Sequence, residues 1–270
     1  MLFLLPPSET KAIGGGNLTI QQAALTFGGL NPARDQVLAA LLKLCKKPNE
    51  AAKVLKLTPK QLGAIQINLA VPNAPTMPAI QRYTGTLFDA IDAQNLTPDQ
   101  MRRAKETVLI QSALFGMIPA TDLIPNYRLS GSTVFPSSYT TGKALPGGLR
   151  GVWNRAHPAI FARLANGPLI DLRSKTYAEL APIPQELTHY WVEVVSRESN
   201  GELRALNHFN KLAKGLLIRA VLQAAKAPES IDDLALIANS IGMELNLDAT
   251  NQNLVLVTDQ IVKAKRATAN

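Results

Sequence analysis

The sequence is poor in the residues that build metal and redox centres. Its 270 residues include one cysteine, Cys45, which excludes an intramolecular disulfide and the usual cysteine-based zinc and iron–sulfur sites. The three histidines, His157, His189 and His208, are far apart and lack the spacing of a metal-binding motif. The sequence therefore predicts no metal site, and Cys45 is expected to pack on the face of a helix.

Motifs of the common nucleotide-binding and hydrolytic folds are also absent. The chain has no G-x-x-x-x-G-K-[ST] loop and no G-x-S-x-G turn, and Gly14–Gly16 lacks the spacing of a dinucleotide-binding loop. No helix is dense in Arg, Asn and Gln, which disfavours the reading of DNA bases. Aromatic residues make up only 5% of the chain, which disfavours stacking on single strands. We therefore predict no cofactor.

Long runs of apolar residues and of like charges are missing as well. No window reaches 18 apolar residues, residues 1–5 are too short for a signal peptide, and no run of five like charges occurs. These absences predict a cytoplasmic protein with no membrane partner. The net charge is nevertheless +8, which favours a polyanionic partner or an anionic substrate. Any positive patch must therefore be assembled by folding.

The apolar patterns predict an α+β fold, a single compact domain over residues 1–270 with a mixed sheet, helices around it and a frayed tail at 263–270. Short apolar runs predict buried strands, and Ser199–Gly201 is typical of a turn. The predicted strands are 2–5, 168–172, 190–195 and a terminal hairpin within 244–258. The predicted helices are 34–46, 49–57, 58–69, 78–94 with a bend at Thr84-Gly85, 97–108, 153–164, 203–226 and 230–239, with a long loop at 131–151.

Hydroxyl groups and cations follow two of the predicted strands. Ser8, Thr10 and Lys11 follow the first, and Arg173 to Lys175 follow the strand at 168–172. Because ligands often bind in loops at the carboxyl ends of buried strands, these two loops could converge on one anion. Lys211 and Lys214, one helical turn apart, add two cations that emerge at neighbouring positions.

Residues 50–70 predict two short helices joined by a basic turn. Lys53, Lys56 and Lys60 group near that turn, as a helix-hairpin-helix that holds a phosphate would require. The glycine-rich hairpin of such a motif is missing, however, and only Gly63 is present. An ordinary helical corner is the alternative interpretation.

The segment 111–130 concentrates reactive side chains. The pattern predicts a helix through Leu109–Ile118 that ends at a corner, followed by an extended segment at 127–129. The corner carries Asp122, Tyr127 and Arg128. These residues are candidates for acid–base work and anion binding, and the structural alternative is that Asp122 caps the turn while Arg128 pairs with a carboxylate.

Five islands of sequence, in order, resemble the YaaA family of peroxide stress proteins. They are residues 4–11 (LLPPSETK), Tyr83-Thr84-Gly85, the segment from Ser112 to Leu129, residues 168–177 and Lys211–Gly215. The resemblance implies a single-domain α+β fold with a basic cleft and a helix-hairpin-helix. It also implies a role in lowering free intracellular iron during peroxide stress.

Two functions from different classes follow. The first is a peroxide stress protein that binds double-stranded DNA, independently of sequence, through an assembled basic cleft and limits Fenton damage. The second is an enzyme that acts on a small phosphorylated or anionic ligand in the same cleft, with Asp122 or Tyr127 as the acid–base group. The predicted anion-binding residues are Ser8, Thr10, Lys11, Lys56, Lys60, Arg128, Arg173, Lys175, Lys211 and Lys214.

Overall fold

A mixed sheet of eight strands organises the fold of this protein, for which we use a computed structural model. The structure describes residues 1–140, 144–164, 167–197, 201–205, 210–248, 250–251 and 253–258. Within these ranges the strands are β1 (Leu2–Leu5), β2 (Thr76–Pro78), β3 (Val108–Ser112), β4 (Gly116–Pro119), β5 (Leu123–Pro125), β6 (Leu169–Asp171), β7 (His189–Arg197), β8 (Leu203–Ala205), β9 (Met243–Asp248) and β10 (Asn253–Thr258).

The α-helices of the same ranges are mostly short. They are α1 (Ile20–Ala23), α2 (Asn31–Cys45), α3 (Pro48–Val54), α4 (Ala64–Ala70), α5 (Ala79–Arg82), α6 (Thr86–Ile91), α7 (Pro98–Thr107), α8 (Ser137–Thr140), α9 (Gly148–Ala156), α10 (Pro158–Phe161), α11 (Lys175–Leu180), α12 (Asn210–Gln223) and α13 (Ile231–Ser240). A proline lies at the first or second position of α2, α3, α7 and α10, where its fixed φ and missing N–H fit a helix start.

The central strands of the sheet are parallel. The order is β4-β3-β1-β6-β7-β10-β9, with β8 added to β7 and with β2 and β5 forming a separate pair. β1 pairs in parallel with both β3 and β6, and Leu5 lies opposite Ile110. The segments that leave β1, β3 and β6 therefore emerge side by side at one edge of the sheet, which we call the carboxyl edge.

One continuous hydrophobic core surrounds this sheet, as predicted for an α+β chain. The first strand lies inside this core, because Phe3, Leu4 and Leu5 are fully buried and β1 has a neighbouring strand on each side. Cys45 is buried on α2, as predicted, and burial raises the pKa of its thiol. The break between α5 and α6 at residues 83–85 confirms the predicted bend.

Three predicted elements are wrong. The apolar run 109–118 is a hairpin of β3 and β4 rather than a helix, and Gly116 adopts a left-handed φ of 66° where the hairpin re-enters the sheet. Residues 127–129 are irregular, because the extended pairing lies earlier, in β5. Residues 203–205 are β8 and not the start of a long helix, and α12 begins at Asn210.

The long loop predicted at 131–151 is partly helical, since it contains α8 and the start of α9. Two predictions lie outside the described residues, namely the frayed tail at 263–270 and most of the turn at 199–201. His208, one of the three scattered histidines, lies outside them as well.

Candidate anion-binding site

Lys11 lies where the loop after β1 crosses two tyrosine rings. Its Nζ donates to the carbonyl oxygens of Ser8 at 3.0 Å and Glu9 at 3.4 Å. The same nitrogen lies 4.0 Å from the ring centroid of Tyr127 and 5.3 Å from that of Tyr83. Burial, and after it the positive charge of Arg128, lowers the pKa of Lys11 to about 7. Lys11 is therefore an amine that is largely withdrawn from water and only partly charged at neutral pH.

A chain of three hydroxyl groups runs under this amine. Ser112 Oγ accepts from the backbone N–H groups of Leu114 (3.1 Å) and Phe115 (3.0 Å), so its own hydrogen is left to donate to Tyr127 Oη, 2.8 Å away. The hydrogen of Tyr127 is then left for Tyr83 Oη, also at 2.8 Å. Burial raises the pKa of both phenols, so both stay protonated.

A cavity of about 270 Å³ opens beside Lys11, and we call it the lysine cavity. Three segments far apart in sequence line it, namely 9–11, 60–67 and 126–128. Its cations are Lys11, Lys60 and Arg128, and its anion is Glu9, which forms an ion pair with Arg128.

Arg128 is held in place through its backbone. The side chain of Asn68, which is fully buried on α4, accepts from the Arg128 N–H at 2.7 Å and donates to its carbonyl oxygen at 2.9 Å. These two bonds fasten the segment 126–128 to α4. Arg128 Nη1 also donates to the Glu9 carbonyl oxygen at 3.4 Å.

Arg82 fastens the glycine-rich loop from the other side. Its fully buried guanidinium donates to the carbonyl oxygens of Ala12 (2.6 Å), Gly14 (2.9 Å), Pro75 (2.9 Å) and Ile124 (3.1 Å). The loop that carries Lys11 is thus tied to two distant segments, which gives the lysine cavity a fixed wall.

A second group of cations lies at the end of the neighbouring strand β6. Arg173 and Asp171 form a buried bidentate pair, with Nε–Oδ1 at 2.8 Å and Nη2–Oδ2 at 2.7 Å. Lys214, also buried, donates to the carbonyl oxygen of Leu172 at 3.1 Å, and burial lowers its pKa to about 8 although the charge of Asp171 opposes the shift.

A larger cavity of about 590 Å³ adjoins this pair. Arg150, Lys175, His189 and Trp191 are among the residues that line it, together with Asp171 and Arg173. The ring centroid of Trp191 is 5.6 Å from Lys214 Nζ. The carboxyl edge therefore carries two cavities, one beside the loop after β1 and one beside the loop after β6.

The predicted site residues do not all come together. Lys11, Lys60, Tyr127 and Arg128 meet at the lysine cavity, while Arg173 and Lys175 line the larger one, with Lys214 beside it. Ser8 and Thr10 bond to each other at 3.2 Å, and Thr10 also donates to the Thr84 carbonyl oxygen. Lys56 and Lys211 are exposed and line neither cavity.

Asp122 lines neither cavity, whereas Tyr127 lines the lysine cavity. Both of its carboxylate oxygens accept from Thr26, one from the N–H at 2.9 Å and one from the hydroxyl at 2.7 Å. Burial raises its pKa, and the Thr26 bonds and the charge of Arg34 oppose that shift. Asp122 therefore holds the loop at residue 26, 96 residues away in sequence, and does not cap its own turn as the structural alternative predicted. Arg128 does pair with a carboxylate, that of Glu9, as the same alternative predicted.

Sequence reasoning missed three residues of the site. Glu9 stands inside the quoted 4–11 segment, but nothing in the pattern says that it reaches Arg128. Asn68 and Arg82 lie in ordinary amphipathic stretches, and no local signal separates them from solvated polar residues.

In the part of the chain that the structure describes, no group of three His, Cys, Asp or Glu side chains could hold a metal ion. No helix there is long and apolar enough to cross a bilayer.

Comparison with known proteins extends over nearly the whole chain. A sequence model described as peroxide stress protein YaaA matches residues 1–245. A UPF0246 protein of Corynebacterium glutamicum is 39% identical over 243 residues, which is 90% of this chain and 94% of the relative. UPF0246 proteins of Corynebacterium efficiens (35% over 258 residues, 95% of this chain and 100% of the relative) and Streptomyces coelicolor (33% over 252 residues, 92% and 93%) are also similar.

Proposed function

Since the chain belongs to the family of the peroxide stress protein YaaA, we propose that it serves the peroxide stress response by binding double-stranded DNA without sequence preference. Bound DNA would be shielded from iron-dependent, Fenton-type damage. The observation that carries this proposal is the lysine cavity, where cations from segments 9–11, 60–67 and 126–128 gather beside one another. A phosphate backbone is the ligand that such a gathering of cations favours without base readout.

The exposed lysines of the segment 53–60 support the proposal. Lys53, Lys56 and Lys60 are all exposed on or between α3 and α4, and Lys60 also lines the cavity. The two helices have seven residues each and are joined by a short 3-10 turn at Pro59–Gln61. We propose that residues 50–70 act as a helix-hairpin-helix that places these lysines along a DNA backbone.

The paired residues limit what each cation contributes. Arg173 is already satisfied by Asp171, and Arg128 by Glu9, so neither is free for phosphate without losing a carboxylate partner. We therefore assign most of the phosphate binding at the lysine cavity to Lys60, and we propose that Lys56, which is exposed in the same segment but does not line the cavity, adds a further contact. Arg128 joins them only when Glu9 gives way.

Salt dependence of duplex binding tests the proposal. The measurement is fluorescence anisotropy with a labelled duplex at several salt concentrations, on the wild type and on Lys60→Gln. Each phosphate contact adds about 0.9 to the slope of log K against log salt, so K60Q should lower the slope by about that amount. Lys226→Gln is the matched control, because Lys226 is exposed and pairs with Glu229 on another part of the surface. A wild-type affinity that does not change with salt would contradict the proposal.

A second candidate function is an enzyme, or a binding protein, for a small anionic ligand in the lysine cavity. The specific observation in its favour is that Lys11 and Tyr127, both withdrawn from solvent, face a cavity of about 270 Å³. A thermal-shift screen of nucleotides, sugar phosphates and keto acids tests it, because a ligand that binds only the folded state raises the melting temperature. Ligand stabilisation without duplex binding would favour this candidate over the first.

A further inference from the structure

Lys11 combines three features that exposed lysines lack. Its Nζ lies on the wall of a cavity, it rests 4.0 Å from an aromatic ring centroid, and its hydrogen-bond partners are neutral carbonyl oxygens. Among the described residues no carboxylate forms an ion pair with it, because Glu9, the nearest acid of its own loop, is taken by Arg128. An amine in such a place is desolvated and lies next to another cation, which are the two conditions that activate lysine nucleophiles.

We propose that Lys11 is a nucleophilic amine that forms an imine with small carbonyl compounds carrying a carboxylate or a phosphate, which Arg128 and Lys60 hold in the lysine cavity. The proposal deepens the second candidate function, on which it rests, and does not depend on DNA binding.

The hydrogen bonds of Lys11 leave its lone pair available. A neutral amine has two hydrogens, and the carbonyl oxygens of Ser8 (3.0 Å) and Glu9 (3.4 Å) accept both. Because these acceptors fix the Nζ without protonating it, the nitrogen is oriented and still basic. The pKa near 7 means that about half of the amine is neutral at pH 7, roughly a thousandfold more than for an ordinary lysine.

The distance between the amine and the guanidinium suits a small bifunctional molecule. Lys11 Nζ and Arg128 Nη1 each lie 3.4 Å from the same oxygen, that of the Glu9 carbonyl, so the two nitrogens are at most twice that distance apart. A carbonyl carbon within bonding reach of Lys11 therefore has its own anionic group, a few bonds away, within reach of Arg128, which exchanges its ion pair with Glu9 for that group. Lys60 lines the same cavity and adds charge for the more highly charged phosphate.

The reaction needs no oxidant and no cofactor. The Lys11 nitrogen attacks the carbonyl carbon and loses one proton, while the carbonyl oxygen gains one, to give a carbinolamine. The nitrogen then loses its second proton as the C–O bond breaks and the oxygen leaves as water, which forms the C=N bond, so amine and carbonyl compound give imine and water. Burial, Arg128 and Arg82 lower the pKa of Lys11, and Glu9 raises it. The phenols of Tyr83 and Tyr127 lie against the amine, and Lys60 lines the same cavity.

Reductive trapping tests the proposal on the full chain. The protein is incubated at pH 7 with pyruvate, with pyridoxal 5′-phosphate or with acetone, then reduced with borohydride, and the modified lysine is located by peptide mass spectrometry. We expect one label per chain on Lys11 with both anionic probes, and much less with acetone, which carries no anionic group. Lys11→Arg should abolish the label, whereas Lys226→Arg, which changes a distant exposed lysine, should leave it unchanged.

A second variant covers the case in which K11R fails to fold. Arg128→Gln keeps the amine but removes the nearby charge that lowers its pKa, so labelling by acetone should move to higher pH. At a pH high enough to keep Lys11 neutral in both proteins, the same variant should still weaken labelling by pyruvate, because Arg128 no longer holds the carboxylate. A merely structural Lys11 would show neither change.

The outcomes separate this proposal from the function beneath it. Label spread over exposed lysines, equal in wild type and K11R, would overturn the imine. A rise in melting temperature with pyruvate or phosphate but no trapped label would overturn the imine and leave small-anion binding standing. No rise and no label would overturn both.

Discussion

Replacing Arg173 by methionine should destabilise the protein strongly, because it leaves a charge buried without its partner. The side chains of Arg173 and Asp171 are 1% and 5% exposed, and two bonds of 2.8 and 2.7 Å join them. Removing one partner of a buried pair costs about 3–5 kcal/mol. Loss of the bond from Arg173 Nη1 to the Ala181 carbonyl oxygen adds to that cost. The expected loss is a large part of a typical total stability of about 5–15 kcal/mol.

The assay is equilibrium unfolding in urea, followed by circular dichroism and by tryptophan fluorescence so that a multi-step transition would be noticed. The double variant D171N/R173M should recover about half of the loss or more, because the unpaired charge is then gone. Arg102→Met is the control, since its pair with Asp99 is 66% and 86% exposed and should cost under about 1 kcal/mol. A loss below about 1 kcal/mol in R173M would refute the reasoning and return Arg173 to the set of cations free for phosphate.

Three further predictions follow from single contacts. Burial lowers the pKa of His157 to about 4, so between pH 6.5 and 4 the unfolded chain binds more protons than the folded one. Lowering the pH through this range should therefore reduce the stability, by about 3 kcal/mol from this group. His157→Gln should flatten that part of the curve of stability against pH, and an identical curve would contradict the assignment. Gly215→Ala should reduce the free energy of unfolding by about 1–3 kcal/mol, and with it the melting temperature, because a Cβ there would overlap the carbonyl oxygen of Leu87. An unchanged melting temperature would rule out that close packing of α12 on α6. Glu9→Gln should free Arg128 and steepen the salt slope of duplex binding by about 0.9, and an unchanged slope would count against a phosphate contact at Arg128.

Sequence reasoning located much of the fold because the relevant signals are local. The apolar run of residues 2–5 and the proline-started helix at Pro98 each fix their own structure, and both are confirmed. The run 109–118 was misjudged because an apolar stretch of that length fits a buried helix or a buried hairpin equally well. The choice between them depends on a contact that is distant in sequence. The ring of Trp153 lies so close to Gly116 that a Cβ on Gly116 would be 2.6 Å from the ring.

The candidate site was predictable only in outline. The repeated pattern of strand, hydroxyl and cation placed two loops at the carboxyl edge, and the order β3-β1-β6 puts those loops side by side. The pattern could not tell a free cation from a paired one. Arg173 lies two residues after Asp171, a spacing that puts both side chains on one face of an extended chain, yet only the fold decides that they bury each other.

The position of β1 has a consequence for how the chain is made. Its neighbours are β3, which ends at Ser112, and β6, which ends at Asp171, so neither partner exists until about 100 residues after β1 have been made. At synthesis rates of about 5–20 residues per second, that interval lasts roughly 5–20 s. Throughout it Leu2–Leu5 is an apolar segment without its partner strands. We therefore expect productive biosynthesis to depend on a chaperone that shields this segment until translation has passed β3.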